Sequence, residues 1–170
     1  DHFLIHRPDL LMDAAATGRA LDDAIEAGKI GAAGISNHLP SQWRRLQRHM
    51  HHPLRANQIE LSIAHSAPLF DGSFDDLGAD GHAPMAWSPL AGGQLMQGEV
   101  SRVLNRLAGE LNSTPGALAL AWLRTLPGRP VPVVGSVKPE RIANMLNGPE
   151  TLPREAWYEL LEAARGHCVA

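Results

Sequence analysis

Short apolar runs alternate along the whole chain with longer stretches whose apolar residues recur every three or four positions. Phe3-Leu4-Ile5 is too short for a helix, and His6-Arg7-Pro8-Asp9 halts it in a turn. Asp13 caps a predicted helix with Ala16, Ala20, Leu21, Ala24 and Ile25 at helical spacing, and Gly28 ends it. A second apolar run, 30–35, closes on Ser36-Asn37; Pro40 then starts a helix carrying Trp43, Leu46 and Met50 on one face. Residues 56–62 read as a strand with alternating polar positions, and 63–83 as loop with a short helix over 73–77. The run 84–87 reads as a buried strand, followed by Ser88-Pro89-Leu90-Ala91-Gly92-Gly93 as a turn. Val103, Leu104, Leu107, Ala108 and Leu111 mark the next helix. Thr114-Pro115, a cap followed by a first-turn proline, opens another that runs through Trp122. A strand at 130–134 leads through Gly135-Ser136 into a helix from Pro139 with Ile142, Met145 and Leu146 inside; the last helix, 154–164, buries Trp157, Leu160 and Leu161.

Strands alternating with helices, without hairpin signals, predict an α/β fold with a parallel sheet. Five such strands suit part of a (β/α)8 barrel of the TIM type, because the complete barrel needs about 250 residues and this chain has 170. The chain also opens on Asp1-His2-Phe3-Leu4-Ile5, within a core strand and without an initiating Met, which predicts a piece of a longer barrel domain. Two parallel edges would then lie unpaired, at 3–5 and 131–134, favouring self-association.

In parallel α/β folds ligands gather at the carboxyl ends of the strands. Those ends carry His6, Ser36-Asn37, Gln58 with Glu60, Trp87-Ser88 and Gly135-Ser136. His6 supplies an imidazole able to donate to a carbonyl. Ser36, Asn37 and Gln58 supply hydroxyl and amide groups suited to an uncharged carboxamide. Trp87 offers a stacking face, and Ser88 with the glycines after Pro89 and Leu90 offers donors to an anion. Gly135-Ser136 ahead of a helix start forms a phosphate site, with Lys138 and Arg141 on the first turn. Taken singly, each has a bland reading: His6 a structural histidine, Trp87 core, Ser36-Asn37 turn chemistry, Gly135-Ser136 a plain connection. Together they describe a dinucleotide site with a hydride acceptor beside His6.

The segments Leu4-Ile5-His6-Arg7-Pro8-Asp9, Gly34-Ile35-Ser36-Asn37, Asn57-Gln58-Ile59-Glu60, Trp87-Ser88-Pro89-Leu90 and Gly135-Ser136…Pro139-Glu140-Arg141 resemble the aldo-keto reductase superfamily. They occur in that family's order and cover nearly the whole chain; the His-Arg-Pro-Asp form most resembles a bacterial NADP-dependent oxidoreductase branch. The resemblance implies the fourth to eighth barrel strands and NADPH-dependent reduction of a small aldehyde or ketone to an alcohol. It makes His6 the catalytic histidine that orients the carbonyl. Ser36, Asn37 and Gln58 would hold the nicotinamide carboxamide, Trp87 the nicotinamide ring, and Ser88, Pro89 and Leu90 the pyrophosphate loop. Ser136 and Arg141 would contact the adenosine 2′-phosphate, favouring NADP(H). Gly135 stands where the family often has a lysine, leaving that charge to Lys138. Met145 stands where an asparagine usually reads the adenine, with Asn144 one position early. The family's aspartate, tyrosine and lysine precede His6 and are not in this sequence, whose single tyrosine is Tyr158. The 170-residue chain alone is therefore expected to reduce nothing. The alternative is a non-catalytic cofactor-binding or self-associating barrel piece.

Composition narrows the field. The net charge of −3 argues against a nucleic-acid surface, and no run suggests a membrane span. The single cysteine, Cys168, suits a reducing cytoplasm. His49, His51 and His52 lack carboxylate or thiol company in sequence, so no metal site is expected. Arg44-Arg45-Arg48, Asp22-Asp23 and Glu159-Glu162 read as solvated helix faces.

Overall fold

The structure, a computed structural model, describes residues 1–169. Its strands are β1 (His2–Ile5), β2 (Ala32–Ser36), β3 (Asn57–Glu60), β4 (Met85–Trp87) and β5 (Val131–Val133). Its helices are α1 (Ala14–Glu26), α2 (Pro40–Gln47), α3 (Ser73–Ala79), α4 (Gly98–Glu110), α5 (Pro115–Thr125), α6 (Pro139–Leu146) and α7 (Arg154–Arg165). Short 3-10 segments occupy Ala67–Leu69 and Ala91–Met96. The strands form one sheet in the order β1-β2-β3-β4-β5, with every pairing parallel. This is the predicted α/β part-barrel, and no helix among the described residues is long and apolar enough to cross a membrane.

The register decides which side chains meet. Leu4 pairs with Gly34, Ser36 with Gln58, Gln58 with Met85, Glu60 with Trp87, and Trp87 with Val133. Because side chains alternate along a strand, these residues share one face of the sheet. Ala33, Ile35, Ile59 and Ala86 point the other way and are buried beneath the helices. The outer edges are bare: Phe3 on β1 is 50 % exposed and Val131 on β5 is 52 % exposed.

Local chemistry sets most helix boundaries. Asp13 Oδ1 accepts from the N–H groups of Ala15 (2.9 Å) and Ala16 (3.0 Å), satisfying two donors at the start of α1. Thr114 Oγ1 accepts from Ala117 N at 3.2 Å, with Pro115 at the first helical position of α5. The middle of α5 is buried on every side, because the sheet, α4, α6 and the indole of Trp157 surround it. Trp122 and Trp157 stack at 4.9 Å, and each indole N–H donates to the other's backbone carbonyl (3.1 and 2.9 Å).

Four expectations are corrected. The buried face of α1 is Ala14, Gly18, Leu21 and Asp22, whereas Ala16 and Ala20 are exposed. Close packing turns the helix: a Cβ on Gly18 would stand 2.5 Å from the carbonyl oxygen of His49, so the residues beside that glycine face the neighbouring turn. Asp22 is accordingly not a solvated residue; its carboxylate accepts from the N–H groups of His51 (2.7 Å) and His52 (3.1 Å). Leu146 is 62 % exposed, since α6 follows the edge strand and rests on α5 without a further layer. Trp157 is half-buried, stacked on one face and open to a cavity on the other. Two of the charged helix faces are also tied down, with Arg44 bridging to Asp76 (3.0 Å) and Asp80 (3.2 Å) and Arg106 to Glu159 (2.5 Å).

Burial alone would raise the Asp22 carboxyl, but the two backbone donors, helped by the nearby His52 and His51 charges, outweigh it and hold it below the usual carboxylate range. Asp22→Ala leaves two N–H groups without their charged acceptor and is expected to cost about 2 kcal/mol or more in a urea melt. Asp23→Ala, exposed one residue on, is expected to change stability by less than about 0.5 kcal/mol; equal effects would contradict this assignment.

Candidate functional site

The shared sheet face ends, at its carboxyl side, in two cavities. The first, about 460 Å³, is lined by Leu4, His6, Arg7, Ser36, Asn37, Gln58 and Trp87, and so draws on β1, β2, β3 and β4. The second, about 560 Å³, is lined by Ser88, Pro89, Leu90, Gly92, Gly93, Val133, Val134, Gly135, Ser136, Arg141 and Met145. The two meet at consecutive residues, Trp87 and Ser88.

Positive φ angles shape the wall between them. Asn37 (φ 58°) and Ser88 (φ 51°) stand directly after β2 and β4 in the left-handed region, followed by Ala91 (49°), Gly92 (61°) and Gly93 (93°). Asparagine and glycine take that conformation readily; serine and alanine do so at a cost, a mark of functional turns. Within this run the N–H groups of Ala91 and Gly93 donate to the Ser88 and Leu90 carbonyls (2.8 and 2.9 Å), which closes the turn. Farther along, Ser136 Oγ accepts from Lys138 N at 3.2 Å, closing the turn before α6.

The first cavity is tightly wired. Trp87 Nε1 donates to Asn37 Oδ1 at 2.8 Å, and Asn37 Nδ2 donates to the His6 carbonyl (3.3 Å) and to Ser36 Oγ (3.1 Å). Ser36 Oγ donates in turn to the Gln58 carbonyl at 2.8 Å. Beneath lies a polar layer the sequence reading passed over. His38 Nδ1 is 2.7 Å from the Ser36 carbonyl, and Asn57 Nδ2 donates to the His38 carbonyl at 2.8 Å. His38 and Asn57 are both buried, and His38 Nε2 and Asn57 Oδ1 find no partner among the described residues. Asn57 was readable as an alternating polar position and as the first residue of the segment Asn57-Gln58-Ile59-Glu60, with no role of its own; nothing in the sequence around His38 distinguishes it from an exposed turn histidine.

The structure thus gathers His6, Ser36, Asn37, Gln58 and Trp87 in one cavity, and Ser88, Pro89, Leu90, Gly135, Ser136 and Arg141 in its neighbour. Lys138 lines neither; it is exposed at the cap of α6. Arg7, next to His6 in the first cavity, was read only as a turn residue. Met145 is buried against the second cavity, where its thioether supplies an apolar wall instead of an amide. A larger cavity, about 640 Å³, lies away from the strand ends, between α3 and α7; Tyr158 lines it and does not line the cavity of His6.

Comparisons with known proteins agree with this geometry. The family model for the aldo/keto reductase family matches residues 1–163. The chain is 40 % identical to the 6-dehydroglucose reductase of Agrobacterium fabrum, covering 100 % of this chain and 59 % of that protein. It is 38 % identical to Oxidoreductase YdhF of Escherichia coli, covering 99 % and 59 %. Among solved structures it resembles the thermostable aldo-keto reductase Tm1743 crystallised with the inhibitor epalrestat, with a TM-score of 0.84, 25 % identity, and coverage of 96 % of this chain and 59 % of that one. The chain belongs to the aldo/keto reductase family, whose members are oxidoreductases. It spans somewhat more than half the length of the curated relatives it matches.

Burial holds the His38 imidazole below its ordinary value, an effect its contact with the Ser36 carbonyl only partly offsets. At pH 7 the ring is therefore neutral, with Nδ1–H donating to that carbonyl. The unfolded chain takes up the proton near the ordinary histidine value and the folded one only at lower pH. The His38 contribution is thus full above about 6.5 and declines as the pH falls below it. His38→Asn, which keeps a donor but does not titrate, is expected to flatten the fall in Tm between about pH 7.5 and 5.5; an unchanged slope would contradict a buried neutral ring.

Proposed function

We propose that the protein is an NADP(H)-dependent reductase of aldehydes or ketones in which this chain supplies the cofactor shelf and the carbonyl-orienting His6. One observation carries the reading: two adjoining cavities meet at Trp87-Ser88, with the chemistry of a nicotinamide site in the first and of a phosphate site in the second. The donor set fits a dinucleotide. A half-buried indole lines the first cavity beside hydroxyl and amide groups, and the left-handed turn 88–93 leads to a serine and an arginine in the second. The bound cofactor supplies hydride to a carbonyl carbon.

This chain's residues would do the rest. Trp87 stacks, Gln58 and Ser36 address the carboxamide edge, and Ser88 to Leu90 carry the pyrophosphate turn. Ser136 and Arg141 take the 2′-phosphate; Arg141 offers the planar fork that favours a phosphate dianion. Lys138, exposed at the same helix start, adds long-range positive charge. His6 at the mouth of β1 donates to the substrate carbonyl and orients it. Tyr158 lines the cavity between α3 and α7 and not that of His6, so it is not the proton donor in this arrangement. The bare edges of β1 and β5 support the same arrangement, since further strands would cover them. Two of the relatives are named 6-dehydroglucose reductase, which makes a sugar-derived aldehyde the substrate class to try first.

NADPH titration, followed by quenching of tryptophan emission, tests the reading. Arg141→Ala is expected to weaken NADPH binding about tenfold or more while changing NADH binding less than about threefold. Equal losses for both nucleotides would place Arg141 away from the 2′-phosphate, and an absence of NADPH binding to the unaltered protein would contradict the function itself.

A further inference from the structure

The cavity of about 640 Å³ between α3 and α7 is walled by Phe70, Phe74, Trp157 and Tyr158. Its aromatic side is held rigid. Trp122 stacks on Trp157 at 4.9 Å with the rings 1° from parallel, and the reciprocal indole bonds fix the Trp157 plane and use its one donor. Tyr158 stands edge-on to Trp157 at 4.9 Å and 80°, so the two rings make a square corner. Trp157 therefore offers the cavity a π face of fixed direction and no free polar atom. The side formed by α3 is different. Phe74, Asp75 and Gly78 line it, with Gly78 three and four positions after the other two and so on their face of the helix. Asp75 is the only Asp, Glu, Lys or Arg among the lining residues, and it makes no ion pair among the described residues, since Arg44 goes to Asp76 and Asp80. Glycine inside a helix costs about 1 kcal/mol against alanine, yet neither a positive φ nor crowding calls for Gly78. Apart from its chain neighbours and the helix backbone, nothing stands within 4 Å of a Cβ built there.

We propose that this cavity is a ligand site distinct from the strand-end cavities, for a flat aromatic ring that carries a cationic amine. The ring extends the Trp122–Trp157 stack and meets Tyr158 at its edge; the ammonium pairs with Asp75. Two rings fixed at a right angle favour a planar guest, because face and edge contacts both need a flat ring. The volume lies in the range of small-molecule sites, which are likewise mostly apolar with a few convergent polar groups. His82, its ring 4.5 Å from that of Trp43, adds a hydrogen-bonding group to the wall. An anionic ligand would meet Asp75 as a like charge. The two nearby arginines do not alter this. Arg165 lies over the Phe70 ring at 3.9 Å and Arg154 over the Tyr158 ring at 4.9 Å, and neither lines the cavity. Glycine at position 78 keeps the α3 side low, which leaves room for the ring.

Tryptamine, an indole bearing an ammonium, is the probe. The protein has four tryptophans, and replacing each in turn by phenylalanine assigns the indole N–H signals of a 15N-correlated spectrum. Tryptamine is expected to shift the Trp157 signal and leave that of Trp87 in place, saturating at one per chain with a Kd of about 1 mM or tighter. Indole-3-acetate, the same ring with a carboxylate, and butylamine, an ammonium without a ring, are each expected to bind about fivefold more weakly or worse. Asp75→Asn is expected to weaken tryptamine about threefold to fivefold and to leave indole-3-acetate no weaker. Gly78→Leu, which favours the helix and reaches into the cavity, is expected to weaken tryptamine about tenfold without lowering Tm. A Trp157 signal with no saturable shift up to about 10 mM tryptamine would overturn the proposal. So would indole-3-acetate binding as tightly as tryptamine, or tryptamine affinity unchanged in Asp75→Asn. None of these outcomes depends on NADPH binding.

Discussion

The parallel register of the sheet is the constraint on which the rest of the structure depends. A shift of one residue in any strand would turn its polar positions toward the helices and its apolar ones into the cavity. With Ser36 beside Gln58 and Glu60 beside Trp87, the ladder brings hydroxyl, amide and indole to one face at neighbouring levels. The helices contribute by sealing the other face, where Ile35, Ile59 and Ala86 lie beneath them. The turns after β2 and β4 then convert that face into a site, because each begins with a residue in the left-handed region that redirects the chain.

Positions and chemistry are linked through the polar layer under the cavity. His38, Asn57 and Ser36 join the ends of β2 and β3, and the Asn37 amide joins β1 to β4. A flat aromatic ring aimed by a hydrogen bond is held more firmly than one positioned by packing alone, which matters where the ring is half-exposed. The second cavity is built differently, from the turn after β4, the end of β5 and one arginine, as suits a charged and less directional ligand group.

Much of this was legible in the sequence for identifiable physical reasons. Asp13 and Thr114-Pro115 announce α1 and α5 because capping and proline chemistry act over a few residues. The polar ends of the strands were readable because a buried apolar run leaves hydroxyls and amides few other places to be. What depended on tertiary packing was not readable. The buried face of α1 turns on the closeness of Gly18 to His49, and the burial of Asp22 on two N–H groups about thirty positions along the chain. The exposure of Leu146 reflects a missing layer beyond α6, and Lys138 stands outside both cavities because the helix start turns it away. Nor does any sequence pattern reveal that Asn37 spends its amide on Trp87, since the two lie fifty positions apart.

The central claim is that the ends of β2, β3, β4 and β5 serve one dinucleotide beside His6, and hydrogen exchange read with and without NADPH tests it most directly. The account predicts slowed exchange together in segments 36–38, 58–60, 87–93 and 135–141, saturating at one ligand per chain, with the cavity between α3 and α7 unchanged. Protection confined to one of those segments, or appearing around Tyr158 instead, would contradict it.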